Sequence, residues 1–210
     1  MGADTPVSIP GIERASAADA ADCADLILAS AEHFLPAVFG PRIRGALIRM
    51  AAGRGTLFSH EHAWMARADG AAAGILLGYT GLQKAAEDPA TGLRLFGALG
   101  PGLLLRLSRL LRLQRSIGAL APDEYYVSNV AVRPEFRGQG IGSLLLERAR
   151  AEAAEAGAAW IVLDVETDNE GARRLYERLG FSRRSETRPL VLDGTPFSFY
   201  RMGRPVRDPD

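Results

Sequence analysis

Cysteine is nearly missing from this chain: Cys23 is the single one in 210 residues. A lone thiol excludes an internal disulfide and a thiolate-rich metal site, and it fits a reducing compartment. Net charge is missing too, since Lys+Arg and Asp+Glu both number 25. No overall electrostatic attraction to nucleic acid or to a membrane follows, and any such affinity has to be local. The N-terminus lacks a basic start followed by an apolar run, and Pro6 stands where a myristoylation signal needs Ser or Thr. His60 and His62 flank Glu61 without a third or fourth metal ligand nearby, so they read as exposed polar residues at a strand end and no metal is expected. These absences together describe a soluble, cytoplasmic protein with no membrane insertion and no nucleic-acid partner. With no internal repeat or low-complexity linker, residues 1–210 are expected to form one domain.

What the chain does contain is a regular succession of element signals. Residues 7 to 15 read as a short irregular strand, Ser16 to Asp19 as the capped start of a helix ending near His33, and Arg42 to Ala52 as a second helix. Ala63–Arg67 and Ala73–Tyr79 flank Asp69-Gly70, a strong hairpin signal. Residues 82–122 are too many for a plain loop and form an insertion. Within it, Leu103 to Arg115 puts Leu103, Leu104, Leu107, Leu110 and Leu111 on one helical face and Arg106, Arg109, Arg112 and Arg115 around the other. Three fates suit such a helix: a wall of the site, a contact with a second subunit in a homodimer, or a place on an anionic membrane surface. Arginine at every third position excludes spanning a bilayer.

Tyr125 to Val132 is then a strand ended by Pro134, and a helix follows with Ile141, Leu145, Ala149, Ala153 and Ala156 inward, closed by Gly157. Trp160–Glu166 is a strand without a wet face at its centre, which completes a parallel β-α-β unit. Asp168 or Asn169 caps a last helix carrying Ala172, Leu175, Tyr176 and Leu179 on one face. Val191-Leu192 and Phe197 to Met202, about Asp193-Gly194, read as a closing hairpin, and residues 204–210 as a loose tail.

The corner after Val130-Ala131-Val132 carries the chemistry. Gly138, Gly140 and Gly142 alternate with Gln139 and Ile141 just ahead of Ser143, so backbone N–H groups converge at a helix N-terminus with Arg137 at the lip. That is an anion cradle with three candidate guests: a dinucleotide, a nucleotide in a P-loop, or the pyrophosphate of coenzyme A. A P-loop needs Lys followed by Ser or Thr, and Ile141-Gly142-Ser143 stands there instead. A dinucleotide fold is partly matched by Gly138, Gly140 and Asp164, but Ser143 replaces its third glycine and too little chain follows for a doubly wound sheet.

Two signatures together, Arg137-x-x-Gly140-x-Gly142 after Val130-Ala-Val-Arg-Pro and Asn169-x-x-Ala172-x-x-Leu175-Tyr176-x-x-x-Gly180-Phe181, resemble the GNAT-type N-acetyltransferases. The close match runs from about Tyr125 to Arg183. The resemblance implies an α/β (α+β) fold: a mixed, centrally splayed sheet of six to seven strands flanked by about four helices, with the helical insertion before the cofactor-binding strand. It also implies acetyl-CoA as cosubstrate and a primary amine of a small molecule or a protein as acceptor, with transfer direct and Cys23 not required.

By resemblance, the backbone of Val130, Ala131 and Val132 would meet the pantetheine arm, and a strand N–H near Val130 would steady the oxyanion. The loop Arg137, Gly138, Gln139, Gly140, Ile141, Gly142 and Ser143 would hold the pyrophosphate, Asn169 the pantetheine region, and Tyr176 would protonate the departing sulfur. Some family members carry a glutamate base at the position of Tyr126; here Glu124, two residues earlier on the same side, is the substitute. A coenzyme-A-binding regulatory or interaction module without catalysis is the alternative.

Overall fold

A computed structural model describes residues 11–101, 103 and 120–207. Nine strands and six α-helices lie within the described residues. The main sheet runs in the order β1 (Gly11–Arg14), β2 (Ala63–Ala68), β3 (Ala71–Thr80), β4 (Glu124–Val132), β5 (Trp160–Glu166), β9 (Phe199–Pro205) and β6 (Ser182–Glu186). Every neighbouring pair is antiparallel except β4 and β5. That exception is forced by the connection between them, since a parallel pair needs a crossover and here it is the helix α5 (Ile141–Glu155).

The β2–β3 turn forms where expected, with Asp69 and Gly70 at φ +51° and +78°, the left-handed pair that a two-residue hairpin demands. On one face, α1 (Ala20–Ser30) and α3 (Ile43–Ala52) bury Cys23, Ile27, Leu47 and Met50 against Met65, Ile75 and Leu77. On the other, Ile141, Leu145, Ala149 and Ala153 of α5 pack with Leu163 and Val165, and with Tyr176 of α6 (Glu170–Arg178). Side chains of this size contribute roughly 1.5–3 kcal/mol each when fully buried. Ala156, expected on the buried stripe, is exposed because the helix has ended at Glu155.

Several expectations are corrected. A helix not expected from sequence, α2 (Phe34–Phe39), lies between α1 and α3, with Pro36 in its first turn, where the missing N–H has no intrahelical partner to lose. A helix, α4 (Gly81–Leu99), leaves β3 directly through a capping box between Thr80 and Gln83, with Gly97 inside its last turn. The insertion therefore starts as ordered helix, anchored by buried Leu95 and by Thr91, whose Oγ1 accepts from the Leu57 N–H at 3.0 Å. Of the leucine and arginine helix expected at 103–115, only Leu103 is described, and it is buried; the rest lies outside the described residues.

His62 is not exposed; it is buried with Nε2 2.8 Å from Glu87 Oε2. The closing hairpin is two structures. β7 (Leu190–Leu192) pairs β8 (Thr195–Phe197) as a separate ribbon, while β9 inserts between β5 and β6. β9 reaches Pro205 and Val206 is buried, so residues 204–206 belong to the fold and not to a loose tail.

Candidate functional site

The site begins where two strands part company. β4 and β5 are paired from Glu124/Trp160 to Val127/Leu163 and no further, although β4 continues to Val132 and β5 to Glu166. On its other side β4 stays paired with β3, but the register slips: Gly78 faces Val127 while Leu77 faces Asn129. Ser128 is therefore the extra residue of a β-bulge, which bends β4 away at the point where its partner is lost. The signal was present in the sequence, because the adjacent polar residues Ser128 and Asn129 break the strand's period of two. Asn129 is buried; its Nδ2 donates to Ser30 Oγ at 2.7 Å and its Oδ1 accepts from Ser128 Oγ at 3.0 Å, which fastens the bulge to α1.

Past the bulge, backbone accounting identifies which groups face the gap. The Arg133 N–H donates to Ala73 O at 2.8 Å. Bonded pairs alternate in an antiparallel ladder, so Arg133, Ala131 and Asn129 are committed to β3, and Val130 and Val132 present their N–H and C=O groups to the opening. The Val132 carbonyl there accepts from Arg137 Nε at 3.2 Å.

The corner itself is built by conformation. Gly138 and Gly140 lie at φ +78° and +80°, and a Cβ at either would meet no atom within 4 Å, so glycine is required for its backbone and not for space. Gly142 differs: a Cβ there would lie 3.1 Å from Leu175 Cδ2, which lets α5 and α6 approach closely. Gly140 C=O accepts from the N–H groups of Ser143 and Leu144. The N–H groups of Gly138, Gln139, Gly140, Ile141 and Gly142 have no protein acceptor among the described residues. Five free donors at the start of a 15-residue helix form an anion nest with the positive end of the helix dipole behind it.

Asn169 caps α6, its Oδ1 accepting from the Ala172 N–H at 3.1 Å, and its exposed amide N–H₂ stays available. Tyr176 is buried against Phe181, with ring centroids 5.9 Å apart, and its hydroxyl has no protein partner among the described residues. Burial pushes its phenol above the usual tyrosine range, so it remains a neutral O–H donor at physiological pH.

Glu124 is placed elsewhere. It sits at the start of β4, six residues and about 20 Å along the strand from Val130 at roughly 3.3 Å per residue. Both its oxygens are engaged: one lies 2.6 Å from Arg184 Nη1, and the other accepts from the Ala121 N–H at 3.0 Å. It is held in an ion pair at the end of β4 that is still paired with β5, away from the opening.

Sequence reasoning missed what fills the side of the opening that faces α2. Asp164, the first residue of β5 beyond the paired stretch, takes two hydrogen bonds from Arg201 at 2.9 and 3.0 Å and one from the Tyr126 hydroxyl at 3.1 Å. Beside it, Phe34 and Val38 of α2 pack with Leu190, Leu192, Phe197 and Phe199, so α2 and the β7–β8 ribbon wall that face. Burial also raises the Cys23 thiol to about 12, which leaves it without nucleophilic character. Among the described residues, no group of three or more His, Cys, Asp or Glu is arranged to hold a metal, and no helix is long and apolar enough to cross a membrane.

A nest of free N–H groups beside a splayed parallel pair defines the class, and the chain belongs to the acetyltransferase (GNAT) family, whose profile matches residues 32–181. Among curated proteins it is similar to N-alpha-acetyltransferase RimI of Mycobacterium tuberculosis, at 27% identity over 184 residues, 87% of this chain and 84% of that protein. It is also similar to N-alpha-acetyltransferase 30 of Schizosaccharomyces pombe, at 41% over 70 residues, 33% of this chain and 47% of that protein. A third is the ribosomal protein bS18-alanine N-acetyltransferase of Escherichia coli, at 42% over 60 residues, 29% and 40% of the two chains. The match thus spans less than half the length of the last two relatives. In fold, the chain resembles an N-acetyltransferase from Staphylococcus aureus Mu50, with a TM-score of 0.67, 18% identity, and 92% and 100% of the two chains covered. It also resembles yncA from Salmonella typhimurium with its cofactor acetyl-CoA, with a TM-score of 0.62, 18% identity and 96% of each chain.

Proposed function

We propose that this protein is a cytoplasmic N-acetyltransferase that uses acetyl-CoA and acts on the α-amino group of a protein N-terminus. The observation that carries the donor half is the set of five free N–H groups from Gly138 to Gly142 beside the unpaired β4 edge, which fits a diphosphate followed by an extended amide-bearing arm. The acceptor half rests on similarity to one N-alpha-acetyltransferase along most of the chain and to another over a third of it. It also rests on the face along β5 that α2 and the β7–β8 ribbon wall.

When bound, acetyl-CoA supplies an acetyl group activated as a thioester. The chain's own groups then have separate tasks. The nest and Arg137 hold the diphosphate, and Val130 and Val132 align the arm through backbone bonds, with the Val130 N–H stabilising negative charge on the carbonyl oxygen. Asn169 Nδ2 is free to hold an amide of the arm while its Oδ1 caps α6. Tyr176 keeps a proton on its phenol oxygen and offers it to the sulfur as that atom gains charge.

Thiol release tests the reading directly. Acetyl-CoA is supplied with a peptide starting in a free alanine, with an Nα-blocked peptide containing lysine, and with a panel of small amines. The free-alanine peptide is expected to react fastest. Preference for lysine or a small amine overturns the acceptor assignment. Thermal stabilisation by coenzyme A without thiol release from any amine favours a non-catalytic binding module; at a thousandfold excess over Kd, linkage gives roughly 4 kcal/mol.

A further inference from the structure

Resting on the acetyl-transfer reading above, we propose that Glu166 is the catalytic base, taking the proton from the acceptor's ammonium group. A base must lie on the acceptor side of the opening, near the level of the reacting carbonyl, with a carboxylate oxygen free. Glu124 fails on position, and Asp164 is held in a buried ion pair with Arg201, its side chain only 5% exposed, which weakens it as a base.

Glu166 meets each condition. It is the last residue of β5, within the stretch that has left β4. Three residues past the final Val127/Leu163 pair, and allowing for the extra residue Ser128 in β4, it stands across the gap at about the level of Val130 and Ala131, where the Val130 N–H faces the opening. Its face is fixed by pairing: Glu166 lies opposite Phe199 on β9, and Phe199 packs with Phe34 and Val38 of α2, so the glutamate points to the acceptor side. Asp164, two residues before it, shares that face. Glu166 is half-buried, and among the described residues its carboxylate makes no hydrogen bond or ion pair. Burial first, and then the charge of Asp168, raise its carboxyl above the usual range, while His33 at the α1–α2 junction opposes the shift.

The step is a simple exchange. The N–H bond of the ammonium breaks, an Oε–H bond forms on Glu166, and the nitrogen keeps the electron pair with which it attacks. An α-amino group gives up its proton near pH 8, whereas a lysine does so near 10.4, so a carboxylate base of raised pKa is closer in strength to an α-amine.

The test is Glu166→Gln, with Glu166→Asp as the conservative partner. Coenzyme A affinity by calorimetry is expected to be unchanged in both. Turnover on the free-alanine peptide should fall about 10²- to 10⁴-fold in the Gln variant, and the rise of kcat/KM on the acid side should lose the component assigned to this carboxylate. The Asp variant should keep that component with a smaller loss. His33 and Asp168 act on Glu166 from beside it, and Asp164, paired with Arg201, shares its face of β5, so His33→Gln is run in parallel as a control. A readout without turnover uses peptide binding to the protein saturated with coenzyme A: the Gln variant should bind the free-amine peptide several-fold more weakly and the Nα-acetylated peptide equally well. Equal binding of both peptides with an unchanged pH profile overturns the assignment. If the wild-type protein releases no thiol with any amine, the acetyl-transfer reading fails, and the peptide-binding comparison still decides whether Glu166 meets an amine.

Discussion

Replacing Gly140 by Ala separates the cost of backbone conformation from the cost of crowding. Gly140 sits at φ +80° and the added methyl would meet nothing within 4 Å. The only penalty is that of a left-handed non-glycine residue, about 1–2 kcal/mol, offset by roughly 0.4–1 kcal/mol from the stiffer unfolded chain. A net loss near 1 kcal/mol corresponds to about 2–4 °C in Tm for a domain of this size. If the loop escapes the strain by rotating, the N–H groups of Gly140 and Ile141 turn out of the nest. Each hydrogen bond to a charged group is worth about 1.5–3 kcal/mol, so coenzyme A affinity then falls by roughly ten- to a hundredfold per lost bond. Gly142→Ala is the counterpart: its conformation is ordinary, and its methyl would press on the free end of Leu175 at 3.1 Å, which can give way. Scanning fluorimetry with and without coenzyme A, together with calorimetric titration, reads both quantities. Gly140→Ala with unchanged Tm and unchanged affinity would refute the reasoning, as would Gly142→Ala proving the worse of the two.

Tyr176→Phe removes a hydroxyl that no protein group uses, so stability should hold while turnover falls about 10²- to 10⁴-fold; equal losses in turnover and acetyl-CoA affinity would assign it a structural role. Arg201→Met strands the buried carboxylate of Asp164, whose side chain is 5% exposed, and should cost about 3–5 kcal/mol in urea unfolding; a cost below about 1 kcal/mol would show that the pair is not buried in solution. The Gly55 N–H is the leading cause that holds Glu61 below the usual carboxylate range, with Arg54 and Ser59 adding to it. A lowered folded-state pKa contributes stability that is present above the unfolded value and lost as pH falls through the carboxylate range. Glu61→Gln should therefore flatten part of the stability loss below about pH 4.5, and an unchanged slope counts against it.

The glycine corner was legible from local sequence because its determinants are local: two left-handed glycines, a strand before and a helix after. The same holds for the β2–β3 turn and the Asn169 cap. The distance of Glu124 from Val130 was not legible, because strand alternation reports the face of a residue but not its height along the strand. What makes the opening usable, the bulge at Ser128 and the Asp164–Arg201 pair, depends on partners 37 residues apart and on a strand order that inserts β9 beside β5. Polarity in a strand of apolar neighbours was the trace that both left: Asp164 lies between Leu163 and Val165, as Ser128 and Asn129 lie between Val127 and Val130. His62 was misread for the complementary reason, since its partner Glu87 comes from a helix that the hydrophobic pattern did not announce.

The position of β9 has a consequence for how the molecule is made. β6 has β9 as its neighbour in the sheet, and β5 loses its outer partner without it. During synthesis, the glycine corner, α5 and α6 emerge while β5 still offers a row of unpaired N–H and C=O groups, and while Asp164 waits for Arg201. A chain halted before Phe199 would carry an open sheet edge and an unmatched carboxylate, the features that draw chaperones or strand-to-strand aggregation. The half of the sheet beyond β5 is thus assembled last, after the glycine corner and the two helices that follow it.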